Sequence, residues 1–453
     1  MNKMKKMNRT AFRGRVFIGC LLWLGYSGFY YIACRPRAEE AAPAAAAVPA
    51  VKLGLEVFLE SRVDLVKGKK VGLITNPSGV DSDLRSVVDL FRAAEGIKLV
   101  ALYGPEHGVR GNAQAGEYVP FYYDEKYGLP VFSLYGQSFK PAPGSLKNID
   151  EYMRSFDTAI TGKVPESAMI QDVEVMVFDI QDIGTRVYTY VATMVYAMQA
   201  AAQSGIDFIV LDRPNPINGK DMEGPVLEYP GQSSFVGLYP IPERHGMTVG
   251  ELARMFNDKF LEKKVNLTVI PMEGWRREAW LDETGLPWVI PSPNMPTLDT
   301  ATVYPGQVLI EGTNVSEGRG TTRPFELFGA PWIDGYALVG RLNALELAGV
   351  QFREAWFTPA FSKFAGEMCG GAQVHVTDRG RYRPFETALH VIKTIREMYP
   401  EKFEFHVEYF DRVAGTPKIR EALEHGDGVA EIVRSYEAGL KAFAAERQAY
   451  LLY

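Results

Sequence analysis

The sequence predicts a doubly wound α/β sheet followed by a smaller α+β domain. From residue 53 onward, short apolar runs alternate with helical segments. Several runs are apolar at nearly every position, and most end in a turn rich in Gly, Pro, Asn or Asp. A strand that is apolar throughout has both faces buried. Such strands alternating with helices form parallel βαβ units covered on both sides.

The elements follow in order. Lys70–Thr75 reads as the first strand, and Asn76-Pro77-Ser78-Gly79 as the turn after it. Val87–Ala94 reads as a helix with Gly96 just past its end. Lys98–Tyr103 is the second strand, closed by Gly104-Pro105, and Val131–Leu134 the third, closed by Gly136. Val173–Ile180 is the fourth, apolar at nearly every position, so both of its faces should be buried. Tyr190–Ser204 is a helix ended by Gly205, and Asp207–Leu211 is the fifth strand, closed by Asp212-Arg213-Pro214. Gly306–Ile310 is expected to add one more strand, and Glu326–Trp332 to be a loop. A domain boundary falls near residue 325, dividing 51–325 from 326–453. Beyond it, Tyr336–Ala348, Thr387–Tyr399 and Val429–Leu452 read as helices, and Gln351–Phe361 and Gly371–Thr377 as strands. There is no fixed-period repeat.

Residues 1–50 have a different character. Lys3, Lys5, Lys6, Arg9, Arg13 and Arg15 precede an apolar stretch from Val16 to Ala33, then Cys34, then an Ala/Pro tract. A basic start before an apolar run is an export signal. Gly19, Gly25, Ser27 and Gly28 weaken that run as a permanent span. Ile32-Ala33-Cys34 resembles a bacterial lipoprotein cleavage site, although Tyr31 stands where Leu is usual. The first expectation is an exported, envelope-anchored protein tethered through a lipidated Cys34. Cleaved secretion and an uncleaved anchor are the alternatives. Of the three cysteines, only Cys369 then belongs to the folded body, so no internal disulfide is available.

Composition and motifs narrow the chemistry. A net charge of −6, without a basic run after residue 50, argues against nucleic acid as a partner. No glycine fingerprint opens a helix after a strand, which disfavours a dinucleotide cofactor. There is no Gly-x-Ser-x-Gly elbow for a serine hydrolase. None of the six histidines forms a His-Glu-x-x-His pair, so no local metal site is expected.

In a doubly wound sheet, ligands bind beyond the carboxyl ends of the strands. Glu106 and His107 follow the second strand. Asp179, Asp182, Arg186 and Tyr188 follow or end the fourth, and Asp212, Arg213, Asn215 and Asn218 the fifth. Glu311, Asn314, Glu317 and Arg319 follow Ile310. Carboxylates among amides, arginines and tyrosines suit glycosidic bond cleavage. One carboxylic acid there protonates the leaving oxygen, and a second group attacks or stabilises the sugar carbon or activates water. Glu106, on a rigid Pro-flanked turn, is the leading candidate for the acid; its alternative is capping of that turn. Glu317, Asp182 and Asp179 compete for the second role. His107, Asp179, Arg186, Tyr188, Asn215, Asn314 and Arg319 are the candidates for holding substrate. Asp212 with Arg213 could instead form a turn held by an ion pair.

Five stretches carry a family resemblance: Gly72–Pro77, Gly104-Pro105-Glu106-His107-Gly108, Asp179–Arg186, Leu211–Pro216 and Glu311–Thr321. In this order they resemble the NamZ-type exo-β-N-acetylmuramidases of bacteria, over roughly residues 53–453. The resemblance implies a Rossmann-like N-terminal domain, a smaller C-terminal domain and a cleft between them. It also implies exo-cleavage after a terminal N-acetylmuramic acid of peptidoglycan fragments, without metal or nucleotide, and places the catalytic glutamate at Glu106. That sugar differs from N-acetylglucosamine by a lactyl carboxylate. Arg186, Arg319 or Arg323 could bind it through two hydrogen bonds, the alternative for each being an internal ion pair. A non-catalytic muropeptide- or sugar-binding lipoprotein, and an amidase or esterase, are the competing readings.

Overall fold

Val175–Asp179 is buried at every position and forms an interior strand of a seven-stranded sheet. The computed structural model describes residues 51–135 and 173–453. The leader with Cys20 and Cys34, and Gly136, lie outside them. The elements of the first half are α1 (Gly54–Ser61), β1 (Lys70–Thr75), α2 (Val87–Ala93), β2 (Lys98–Gly104), β3 (Tyr122–Asp124) and β4 (Leu129–Ser133). After β5 (Val175–Asp179) come α3 (Tyr190–Ser204), β6 (Asp207–Leu211), β7 (Glu223–Val226), β8 (Pro242–Arg244), α4 (Val249–Lys259) and β9 (Leu267–Ile270). The sheet order is β3-β4-β2-β1-β5-β6-β9, and among the described strands of this sheet β3 alone runs antiparallel to its neighbour. Strand order reverses between β1 and β5, as in a Rossmann-like sheet.

The period-two alternation of the strands divides the core. Val71, Leu73, Val175, Val177, Ile209 and Leu211 face α1 and α2, where Leu55, Phe58 and Phe91 meet them. Ile74, Met176, Phe178, Phe208 and Val210 face the other way, toward α3 and α4. This second core continues without a break through Phe325 and Phe328 to Phe385 and Phe410. The described residues accordingly form one compact unit.

The later elements are α5 (Leu298–Gln307), β10 (Leu327–Ala330), α6 (Gly335–Asn343), β11 (Val350–Phe357), β12 (Cys369–Val376), α7 (Pro384–Met398), α8 (Val407–Ala414), α9 (Lys418–His425) and α10 (Val429–Arg447). A small antiparallel sheet has the order β10-β12-β11.

Two expectations are corrected here. Gly306–Ile310 is not a strand: its first two residues end α5 and the rest lie in a 3-10 turn at Val308–Gly312. The Thr297 side chain caps α5, accepting from the Thr300 N–H. Gly306 lets α5 approach α7 so closely that a Cβ there would lie 1.9 Å from the Pro384 carbonyl oxygen. A helix buried on all sides is apolar throughout, just as a buried strand is. Glu326–Trp332 is not simply a loop either, because β10 pairs within it against β12.

Candidate active site

The crevice at the strand-order reversal is filled by protein. The Gln181 N–H donates to Ser78 Oγ across it at 3.0 Å. Arg213 spans it, with Nε and Nη2 at 2.6 and 2.8 Å from the two oxygens of Asp179 and Nη2 also on the Val80 carbonyl. Only about 20 Å3 remains there, lined in part by Trp288. The larger cavity, about 480 Å3, opens beyond the ends of β2 and β5 against the C-terminal elements. Its size falls within the ~300–1,000 Å3 of small-molecule sites.

One wall is built by the turn after β2. His107 (φ 72°) and Gly108 (φ 76°) are both left-handed and reverse the chain just after Glu106. A non-glycine residue in that region costs about 1 kcal/mol and persists where its surroundings fix it. Here the His107 Nδ1–H donates to the Ala113 carbonyl at 2.8 Å. Burial pushes the His107 pKa down; Glu106 opposes that shift and Arg319 adds to it. Glu106 is itself buried. Its Oε1 accepts from the Gly116 N–H at 3.0 Å, and its Oε2 from the Thr189 hydroxyl at 2.8 Å. Tyr135 stands beside it, its pKa pushed up to about 12 by burial and then by the Glu106 charge.

The opposite wall is ionic. The 3-10 turn at Val308–Gly312 presents Glu311, whose Oε1 receives Arg319 Nε and Nη2 at 2.9 and 2.6 Å. Its Oε2 accepts from the Tyr409 hydroxyl at 2.9 Å. Burial works against the charge on Arg319, but Glu311, Tyr304 and Glu317 outweigh it and leave its pKa above the ordinary value. Glu317 lies 3.5 Å from Arg319 Nε and 3.1 Å from Lys363 Nζ. Tyr188, Tyr190, Tyr304, Phe235 and Phe325 complete a largely aromatic lining.

The structure thus brings Glu106, His107, Tyr188, Glu317 and Arg319 to one cavity. It does not bring the other candidates there. Asp179 is paired with Arg213, and burial nonetheless raises its pKa. Asp182 accepts from the Gly184 N–H at 2.7 Å and lies 3.5 Å from His245. Arg186 forms a buried ion pair with Glu243 and donates to the carbonyls of Pro225, Ile241 and Val413. Asn215 bonds the backbone of Met247 and Ile217, and Asn314 that of Lys402 and Glu404. Arg323 pairs with Glu326 on the surface side. Asp212 is not held by the Arg213 side chain; it accepts from Thr248, Gly250, Tyr453 and the Arg213 N–H. These side chains sit at strand ends because they close turns there, which is the commoner use of such residues.

A family model described as the N-terminal part of exo-β-N-acetylmuramidase NamZ matches residues 71–157 and 158–299, and the C-terminal one matches 302–453. The chain belongs to the NamZ family. It is 51% identical over 406 residues to the peptidoglycan β-N-acetylmuramidase NamZ of Bacillus subtilis (strain 168), covering 89% of this chain and 92% of that protein. Two crystal structures of DUF1343 family proteins from Bacteroides fragilis NCTC 9343 share the fold. One has a TM-score of 0.78 at 38% identity and the other 0.66 at 28%; each covers 89% of this chain and 99% of the other.

In this NamZ-family chain, Tyr135, Lys363 and Tyr409 join the site without a signal in the linear sequence, and Thr189 joins it as well. Lys363 follows β11 and Tyr409 lies on α8, so tertiary packing alone places them. Thr189 had one readable cue, its position just before the helix α3.

Proposed function

We propose that this chain is an exo-acting glycoside hydrolase that releases N-acetylmuramic acid from the non-reducing ends of peptidoglycan fragments, with Glu106 as its general acid. The family and the activity named for its Bacillus subtilis relative support the reaction. One observation supports the residue. Of the carboxylates lining the cavity among the described residues, Glu311 and Glu317 are paired with cations, whereas Glu106 is held by the neutral donors Gly116 and Thr189. A carboxylate that partners a cation is committed to that pair; one held by neutral donors has no cation to balance and is left for proton transfer.

In the reaction the Glu106 proton passes to the glycosidic oxygen as the C1–O bond breaks, and that bond's electron pair stays with the leaving oxygen. Positive charge grows at C1 and the ring oxygen. Glu317, fixed by Lys363 and Arg319, is the remaining carboxylate candidate for answering it. A water hydroxyl ends on C1, and the site regains its proton. Arg319 and Lys363 are the cations of the wall facing Glu106, each beside a carboxylate there, and Arg319 is the candidate for meeting a lactyl carboxylate. We further infer that residues 1–50 export the chain and that Cys34 carries a lipid; loss of palmitate labelling in Cys34→Ala would support this, and unchanged labelling would end it.

The test is mass spectrometry of products from the protein incubated with an N-acetylmuramic acid–N-acetylglucosamine disaccharide. Free N-acetylmuramic acid from the wild type and none from a folded Glu106→Gln is the expected result. Release by both removes Glu106 from its role. Release by neither favours a binding protein.

A further inference from the structure

Thr189 occupies the N-cap of α3, where threonine ordinarily turns its hydroxyl back to accept a hydrogen bond from the first helical turn. Its side chain makes no such bond. It donates instead to Glu106 Oε2 at 2.8 Å, while Oε1 accepts from the Gly116 N–H at 3.0 Å. These donors differ in kind. A backbone N–H can only donate, so it holds Oε1 as an acceptor and directs the carboxyl proton to Oε2. A hydroxyl donates or accepts, so Thr189 can meet Oε2 in either protonation state.

We infer that Thr189 is a positioning residue for proton transfer: it aims Glu106 Oε2 at the glycosidic oxygen and donates to the carboxylate that forms as the proton leaves. The inference rests on the reading of Glu106 as the acid. As the Oε2–H bond breaks and the proton joins the glycosidic oxygen, the negative charge left on Oε2 meets the Thr189 hydroxyl. The N-terminal end of the α3 dipole acts in the same direction. The helix has no side-chain cap at this end in this arrangement.

The titratable groups facing Glu106 are His107 on its own turn, Tyr135 after β4, and Tyr188 and Tyr190 at the start of α3. Burial keeps the three tyrosines protonated and favours neutral His107. Arg319 acts on His107 from the opposite wall. A limb of the pH profile that moves when only Thr189 is changed therefore reports on the hydrogen bonds of Glu106 and not on these neighbours.

The experiment is the pH dependence of kcat and kcat/KM on the disaccharide for the wild type, Thr189→Val and Thr189→Ser. Valine keeps the shape and removes the donor. The alkaline limb should move up by about one pH unit, the worth of one hydrogen bond to a charged group. With it, kcat should fall about tenfold and KM change less than about threefold. Serine should restore both limb and rate. An unmoved limb in Thr189→Val, or a Thr189→Ser as impaired as the valine variant, overturns the inference. If the valine variant does not fold, Thr189→Ala takes its place with the same expectations. Glu106→Gln run alongside separates the two failures. If it stays active, the reading of the acid is wrong; if it is inactive and the limb does not move, only the role of Thr189 is wrong.

Discussion

Arg319 and Glu311 are joined through a single carboxylate oxygen, with Nε and Nη2 at 2.9 and 2.6 Å from Oε1. Tyr409 occupies the other oxygen. The guanidinium is thereby held rigidly in the cavity wall. Lysine keeps the charge but cannot bring two separate N–H groups of a planar fork to that oxygen, so Arg319→Lys is not a conservative change here. It should lower kcat/KM for a β-N-acetylmuramic acid glycoside by about 10- to 100-fold, the range of one charge-assisted bond. The matching N-acetylglucosamine glycoside, lacking the lactyl carboxylate, should be affected much less. Equal losses on both would make Arg319 a structural residue only.

Arg186 shows where a plausible substrate arginine goes instead. Its pair with Glu243, 2.6 Å apart, is almost wholly buried, and its Nη2 reaches the Val413 carbonyl at the end of α8. Gly415 packs against it so closely that a Cβ would lie 2.6 Å from Nη1. Arg186→Met should cost about 3–5 kcal/mol, because Glu243 is left buried and uncompensated. Adding Glu243→Leu should recover most of that loss. Urea unfolding of the single and double variants measures both; a double variant as unstable as the single one would assign the loss to packing.

The parallel strands were legible because burial on both faces leaves one chemical pattern, as in Val175–Asp179. The 3-10 turn after α5 misled for the same reason: Val308-Leu309-Ile310 is apolar because packing against α7 and α8 buries it. Glu106 was readable from its Pro-flanked turn at a strand end. Asp179, Asp182 and Asn215 shared that position, but their partners, Arg213, the Gly184 N–H and the Met247 carbonyl, come from other turns. Lys363 lies 46 residues past Glu317 (363 − 317), and nothing local to either predicts that they meet.

Stability should fall as pH rises from about 4 to 7, partly through Asp212. Burial, and then the charge of Glu251, push its pKa up to about 7 against the opposing hydrogen bonds from Thr248, Tyr453 and Gly250. The folded state keeps this proton up to about pH 7, the unfolded chain only to about 4. Between these values the folded state binds more protons, so each pH unit costs up to about 1.4 kcal/mol. Glu223 and Glu243, also raised to about 7 by burial, act with the same sign. Asp212→Asn can keep its oxygen toward the Gly250 and Arg213 N–H groups and turn its amide toward the two hydroxyls. The difference in unfolding free energy between variant and wild type should therefore grow in favour of the variant from pH 4 to 7. A difference independent of pH would remove Asp212 as its source.

Lys363 offers the sharpest separation of stability from activity. Its ammonium donates to the carbonyls of Ile310, Glu311 and Val315 at 3.0, 3.1 and 3.0 Å, and lies 3.1 Å from Glu317 Oε2. It therefore fixes the segment that carries Glu311 and Glu317, and it balances the Glu317 charge. Lys363→Met leaves that carboxylate with Arg319 as its cationic neighbour, 3.5 Å away. The loss should be about 3 kcal/mol of stability, that of a broken buried pair, together with most of the activity. Adding Glu317→Gln removes the uncompensated charge, so unfolding should return part of the way to the wild type. Activity should not return if Glu317 answers the charge at the sugar carbon as proposed. A double variant that regained both would show that Glu317 has no part in the chemistry, and that the cavity needs of it only its fit to Lys363.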